Sequence, residues 1–303
     1  MGVIITLMFN FCTYSQQEKE KTSSPNSSDS IYEIHYLPDD LREVSGIAII
    51  DPNTIACVQD EMGIIFMYDL NTGKIRQQIR FGPDGDYEDI CMVKNTLYIL
   101  RSDGMLFEVS DYLKDEINVQ TYALQLLTDN NEGLCYDSAN ERLLIAAKNK
   151  MGKEKELKDL RLIYGFDLKT KKLNPETVYT INTDIIMEFA LRHNIPVPFK
   201  VKKDGTTGKP MLKVHPSAVA IHPSTQKLYI LSADDQFLLI FDRAGNIEQL
   251  VQLDAILFNK AEGIAFFENG DVLISNEGQT GKATIIRIEV QKNTQLFKSK
   301  TSL

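Results

Sequence analysis

The chain has 303 residues, of which 43% are hydrophobic and 25% charged, an ordinary globular balance with ample material for a core. Its formal net charge of −9 argues against a nucleic-acid partner, because such binding rests on Lys and Arg neutralising phosphate, and it suits cations or plain solubility. Trp is absent, which removes a Trp-Asp repeat signature.

The apolar run of residues 1–12 is too short to span a bilayer. It has the character of an export-signal core but lacks a basic leader. Cys12 ends it, and a polar tract rich in Ser, Gln, Lys and Glu follows. An apolar run, one cysteine and a soluble tether form the pattern of a bacterial lipoprotein, with Cys12 as the lipidation site. Asn10 and Phe11 depart from that pattern, standing where small residues are usual. The expected location is the cell envelope, with membrane contact only through this N-terminal lipid anchor. A secreted or periplasmic form and a cytoplasmic form are the alternatives.

Residues 30–37 alternate in polarity and read as a strand. Five segments then repeat one short phrase: Val44-Ser45-Gly46-Ile47-Ala48, Tyr87-Glu88-Asp89-Ile90-Cys91, Asn131-Glu132-Gly133-Leu134-Cys135, Pro216-Ser217-Ala218-Val219-Ala220 and Ala261-Glu262-Gly263-Ile264-Ala265. A β-rich run follows each about ten residues later, an all-β repeat that reads as one propeller blade per phrase. The steps from Gly46 to Asp89, Asp89 to Gly133 and Ala218 to Gly263 are 43, 44 and 45 residues. A blade of four short strands takes roughly 40–50. The step from Gly133 to Ala218 is 85 residues, which means an insertion or a decayed sixth blade.

Blade 1 is expected to use strands at 45–50, 54–58, 63–69 and 75–81, and blade 4 repeats this at 218–222, 227–231, 237–242 and 247–253. Blade 3 is complete by residue 181. What remains, 182–214, lacks the repeat phrase. Apolar residues at 185, 186, 189 and 190 suit a short helix, which Pro196 and Pro198 stop. Segments 199–203 and 211–214 flank Asp204-Gly205-Thr206-Thr207-Gly208, a hairpin signal. The fold expected is therefore an all-β, five-bladed propeller with a small helix and hairpin insertion, six blades being the alternative. The organisation is a signal-like segment at 1–12, a disordered polar tether at 13–29, the propeller at 30–290 with its insertion at 182–214, and a tail at 291–303. The strand at 30–37 should complete the last blade and remove its open edge. Cys57, Cys91 and Cys135 read as small buried strand residues, the latter two standing where other blades have alanine.

In a propeller the innermost strand of each blade begins at one mouth of the axial channel, and the second strand ends there. Two sets of side chains should converge at that mouth. The first contains Glu43, Asp86, Glu88, Asn130, Glu132, His215, Lys260 and Glu262; the second contains Asp60, Glu61, Arg101, Asp103, Lys148, Asp234, Asp235 and Glu277. The set is rich in oxygen and holds no sulfur and one histidine, the donor chemistry of a hard cation such as Ca²⁺. The candidate metal ligands are Glu88, Glu132 and Glu262, with Asp86, Glu43, Asp60, Asp234 and Glu277 beside them. Clustered carboxylates without a cation would repel and take up protons. No Gly-x-Ser-x-Gly elbow or nucleophile–base pair is visible. Two functions remain. One is a binding or scaffold module for an unknown small-molecule or protein ligand at the mouth. The other is a metal-dependent hydrolase of lactonase, esterase or phosphoesterase type, with the ion as Lewis acid.

Taken in order, Leu41-Arg42-Glu43-Val44-Ser45-Gly46, Val58-Gln59-Asp60-Glu61, Gly85-Asp86-Tyr87-Glu88-Asp89-Ile90, Asn131-Glu132-Gly133-Leu134, Ala261-Glu262-Gly263-Ile264-Ala265 and Ile274-Ser275-Asn276-Glu277 resemble the bacterial SdiA-regulated family. The resemblance runs over roughly residues 41–290. It implies a five-bladed propeller distantly similar to NHL-repeat propellers, usually in the cell envelope and with a bound calcium. Glu88, Glu132 and Glu262 match the family's acidic phrases. Blade 4 departs slightly, with Ser217-Ala218 where Ser-Gly is more usual. The resemblance names a scaffold and no reaction.

Overall fold

The computed structural model describes residues 32–128, 130–151, 157–201 and 204–289. The segments 1–12, 13–29 and 291–303, and with them Cys12, lie outside the described residues.

The repeat phrases open the inner strands of five sheets. Blade 1 comprises β2 (Val44–Asp51), β3 (Thr54–Gln59), β4 (Ile64–Asp69) and β5 (Lys74–Arg80). Blade 2 comprises β6 (Tyr87–Val93), β7 (Thr96–Arg101), β8 (Met105–Ser110) and β9 (Asn118–Ala123). Blade 3 is built on β10 (Asn131–Asp137), β11 (Arg142–Ala147) and β12 (Leu160–Asp167); its outer strand is split into β13 (Lys172–Leu173) and β14 (Tyr179–Asn182), both paired with β12. After the insertion come the four strands of blade 4, β17 (Ala218–Ile221), β18 (Leu228–Ser232), β19 (Phe237–Phe241) and β20 (Ile247–Gln252). Blade 5 has β21 (Ala261–Phe266), β22 (Val272–Asn276) and β23 (Thr284–Ile288). Its fourth strand is β1 (Tyr32–Tyr36), antiparallel to β23 from Tyr32 opposite Ile288 to Tyr36 opposite Thr284. The chain's early strand thus covers the edge that the last blade would otherwise expose.

Burial explains why these segments are strands. β3 is buried at every position and β11 at all but its first, because both faces of a middle strand meet a neighbouring blade. The outer strands β5 and β9 are mostly exposed and polar. The core is accordingly divided into five clusters, one at each junction between adjacent blades. Each fully buried Leu, Ile or Phe there contributes about 1.5–3 kcal/mol. The inner strands β2, β6, β10, β17 and β21 neighbour one another in a ring, β21 returning to β2.

The six-blade alternative is ruled out by the insertion, which has no four-stranded sheet among its described residues. It contains helix α1 (Thr183–Arg192) and a two-stranded hairpin, β15 (Phe199–Val201) with β16 (Thr207–Pro210). The Asn182 side chain caps α1 by accepting from the Asp184 amide at 2.9 Å, and Ile186 and Ala190 bury against blades 3 and 4. The hairpin's second strand lies at 207–210, earlier than the 211–214 read from sequence. Leu212 and Val214 are drawn instead into the core between blades 3 and 4. Cys57, Cys91 and Cys135 are buried free thiols.

Candidate functional site at the propeller mouth

Four of the five inner strands are irregular at the repeat phrase, blade 4 pairing in unbroken register from Ala218 to Ile221. Register against the second strand shifts between Tyr87 and Asp89, between Asn131 and Gly133, and between Ala261 and Gly263. Glu88, Glu132 and Glu262 are the residues skipped. Blade 1 shifts between Val44 and Ile47, skipping Ser45 and Gly46. A β-bulge leaves one residue out of the ladder and re-aims its side chain. The repeated glutamate is therefore a bulge residue, freed from the alternation of its strand.

Its neighbours hold each bulge rigid. Beside Glu88, Tyr87 is fully buried, donates its hydroxyl to the Pro83 carbonyl at 2.8 Å and packs edge-on against Phe81 and Phe107. On the other side, the Asp89 carboxylate accepts from its neighbour Ile90 N–H at 2.8 Å and from Leu134 N–H of blade 3 at 2.7 Å. Beside Glu132, the buried Asn131 amide donates to the Ser102 and Thr128 carbonyls, both at 3.1 Å. Beside Glu262, the Ala261 carbonyl accepts from the Ser217 hydroxyl of blade 4 at 2.8 Å. One tie from each of Asp89, Asn131 and Ala261 runs to a neighbouring blade, so the ring of bulges is cross-braced.

The eight candidate acids form one electrostatic group. Burial, then the Glu132, Asp86 and Glu262 carboxylates, push Glu88 up to about 9, against the pull of Lys148. Burial pushes Glu132 up to about 7, resisted by Lys148 and assisted by Glu262. Glu262 is raised by burial against Lys260 and Lys148, with Asp234 adding to the rise. Asp60 is raised by burial and then by Glu43, Glu61 and Asp86. Asp234 is lowered: the hydrogen bond from His215, at 2.8 Å, and the nearby Lys213 outweigh the effect of burial. Glu277 pairs with Lys260, which also lies 3.5 Å from Glu262.

Lys148 and Lys260 are the part of the site whose role sequence reading missed. Both stand at mouth positions of the repeat, yet only proximity shows them as counter-ions. Lys148 Nζ donates to Glu132 Oε1 at 2.7 Å. The other oxygen, Glu132 Oε2, is buried without a hydrogen-bond partner, as is Asp60 Oδ1. Among the described residues, no three Asp, Glu, His or Cys side chains are arranged as a ready metal site.

The sequence matches the SdiA-regulated family over residues 33–280, most of the chain and all five repeat phrases. The chain belongs to the SdiA-regulated family. None of the curated proteins matches it in sequence. Solved structures similar to this SdiA-regulated propeller include Myxococcus xanthus glutaminyl cyclase, with a TM-score of 0.54, 13% identity and coverage of 85% of this chain and 94% of that one. Streptogramin B lyase gives a TM-score of 0.50 at 11% identity, covering 85% of this chain and 97% of that one. A nidogen/laminin complex gives 0.50 at 11% identity, covering 80% and 74%. At such identities the likeness is one of fold. Among the described residues no helix is long and apolar enough to cross a membrane.

The insertion of this family member reaches the mouth through a strained latch. Val214 has φ +45°, a conformation that β-branched residues rarely adopt. The Asp235 carboxylate holds it there, accepting from Val214 N–H at 2.8 Å, Lys213 N–H at 3.1 Å and the Ser232 hydroxyl at 3.1 Å. The latch places Lys213 and His215 on Asp234. Asp235→Ala leaves the Val214 amide unpaired, at a cost of about 1–3 kcal/mol that release of the backbone strain partly offsets, and the effect is confined to this segment. Hydrogen exchange at residues 211–216 should rise steeply in that variant while the inner strands keep their protection.

Proposed function

We propose that the protein is an envelope-tethered binding module whose propeller mouth takes a calcium ion. The observation that carries this reading is the set of bulge glutamates, of which Glu132 is buried and Glu88 and Glu262 half-buried, whose carboxylates act on one another. The donor set suits a hard cation, being oxygen without sulfur, and Glu132 Oε2 is a buried acceptor without a donor. Glu88, Glu132 and Glu262 would hold the ion, with Asp86, Glu43, Asp60, Asp234 and Glu277 supplying outer charge. The ion would lower the proton affinity of the ring and compete with the Lys148 ammonium for Glu132. Tethering through a lipid on Cys12 rests on the sequence pattern alone.

Calorimetric titration of Ca²⁺ and Mg²⁺ into the chelator-stripped full chain tests the reading. Saturable Ca²⁺ binding is expected, weakened at least about tenfold in Glu88→Gln/Glu132→Gln, since each substitution removes a charged ligand. No binding to the intact chain would leave the ring as a lysine-compensated rim. Turnover of ester, lactone or phosphoester panels with added Ca²⁺, lost in Glu88→Gln, would replace the binding module with a metal-dependent hydrolase.

A further inference from the structure

We infer that the face opposite the glutamate ring carries a second site, a pocket for a phosphate or carboxylate group between blades 3 and 4, with Arg142 and Arg243 as its donors. Asp137 ends the inner strand of blade 3 at that face and is fully buried. Its Oδ1 accepts from Arg243 Nη2 of blade 4 at 2.8 Å. Its Oδ2 accepts from Arg142 Nε and Asn140 Nδ2, both at 2.9 Å. One carboxylate therefore orients two guanidinium groups and neutralises only one of them.

The remaining donors are left over. Arg142 uses only Nε, and its terminal nitrogens donate to nothing among the described residues. Arg243 Nη1 is buried without a hydrogen-bond partner. A buried donor left in that state is destabilising, and a small turn of the guanidinium toward the cavity would let an oxyanion satisfy it. A cavity of about 510 Å³ adjoins both arginines, with Asn174, Glu176, Thr177 and Tyr179 on its other walls. Guanidinium groups with free, preoriented N–H bonds suit the planar carboxylate and the phosphate, which they can grip with two parallel hydrogen bonds.

The cavity is a built departure from the repeat. Every other blade has one continuous outer strand; blade 3 leaves the ladder after Leu173 and rejoins it at Tyr179. The excursion is pinned at both ends, by Asn174 N–H to the Gly165 carbonyl at 2.7 Å and by Val178 N–H to the Ile163 carbonyl at 2.8 Å. Gly165 makes room for it: a Cβ there would lie 2.5 Å from Asn174 Nδ2 and 2.9 Å from a Val178 methyl. Thus one glycine and one broken strand open a pocket beside two underused arginines.

The Glu176 carboxylate on the wall opposes an anion, which gives the test two directions. Inorganic phosphate, acetate and succinate are titrated separately into the full chain in a chloride background, followed by calorimetry. Saturable binding is expected, at least about tenfold weaker in Arg142→Gln and about threefold tighter in Glu176→Gln. Tighter phosphate would assign a phosphate-bearing ligand, and tighter succinate or acetate a carboxylate-bearing one. Arg243→Gln is avoided because it strips the buried Asp137 of its interblade partner; Arg142→Gln and Glu176→Gln each leave that bond intact. Absence of binding to the full chain, or binding indifferent to both substitutions, overturns the inference. Ca²⁺ titration at the mouth should be unchanged in both variants, so the two sites fail or stand separately.

Discussion

Chelator-stripped protein should become less stable as pH rises from about 5 to 9, the reverse of the common acid-denaturation pattern. Glu88 and Glu132 have proton affinities raised in the folded state, from the ordinary glutamate value of 4.5 to about 9 and about 7. Between those values and 4.5 the folded chain holds more protons than the unfolded chain. Stability then falls with pH, because its slope follows the protons bound by the unfolded state minus those bound by the folded one. The contribution is present in full below 4.5 and is lost as pH climbs through 7 and then 9. Glu262 and Asp60, both raised, act in the same direction. Lys148 does not oppose this: burial pulls it down, but Glu132, Glu262 and Glu88 push it further up, so it stays protonated throughout the window. Carboxylates held below their ordinary value, such as Asp137 and Asp103, lose their contribution only as pH falls below about 4. The stability maximum should therefore lie near pH 5, with a fall on the order of a few kcal/mol by pH 9. Urea unfolding in chelator at pH 5, 7 and 9 measures it. Saturating Ca²⁺ should flatten the slope by substituting for the protons, and Glu88→Gln should remove most of it. Stability that rises over this window would show that the carboxylates are not buried against one another.

The second large effect is expected at Gly46. A Cβ on this residue would lie 2.5 Å from Asp89 Cα, 2.6 Å from Asp89 Oδ1 and 2.7 Å from the Ile90 nitrogen. Two of these are backbone atoms of the blade 2 inner strand and cannot turn aside. Asp89 cannot yield either, since its carboxylate ties blade 2 to the Leu134 amide of blade 3. Gly46→Ala should cost about 3 kcal/mol or more, the range for forced overpacking at a rigid site. The equivalent residue of blade 4 is already alanine, and Ala218 is fully buried without conflict. Ala218→Gly should cost only about 1 kcal/mol, through backbone freedom and a lost methyl contact. Denaturant midpoints of the two variants measure the contrast. Equal effects would mean that the phrase glycine is a matter of strand propensity and not of interblade contact.

The two effects bear on one architecture. Inner strands approach closely enough to bring the bulge glutamates into mutual repulsion, and that same closeness excludes a side chain at Gly46. A blade that moved outwards to relieve either would give up the apolar junction behind it.

The favoured count of five blades and the recurrence of one phrase per blade, acidic in three of them, were legible in the sequence, because both follow from local periodicity. A buried strand must be apolar whatever its partner, and a recurring turn must recur at the length of one blade. The spacing of Glu88, Glu132 and Glu262 therefore put one at the same position in each of three blades before any contact was known. The early strand at Tyr32–Tyr36 was legible for the same reason, since the last blade lacked a fourth strand. Other features are relations between residues far apart in the chain, and only the tertiary structure decided them. The bulges are defined by a partner strand. The counter-ion role of Lys148 depends on its 2.7 Å approach to Glu132, a distance on which Coulomb energy turns. Val214, in the insertion, takes its strained φ because Asp235 of blade 4 holds its amide. Arg142 and Arg243 meet only where blades 3 and 4 close on Asp137. Periodicity reports which face of a strand is buried; it carries no information on which charge lies across the junction.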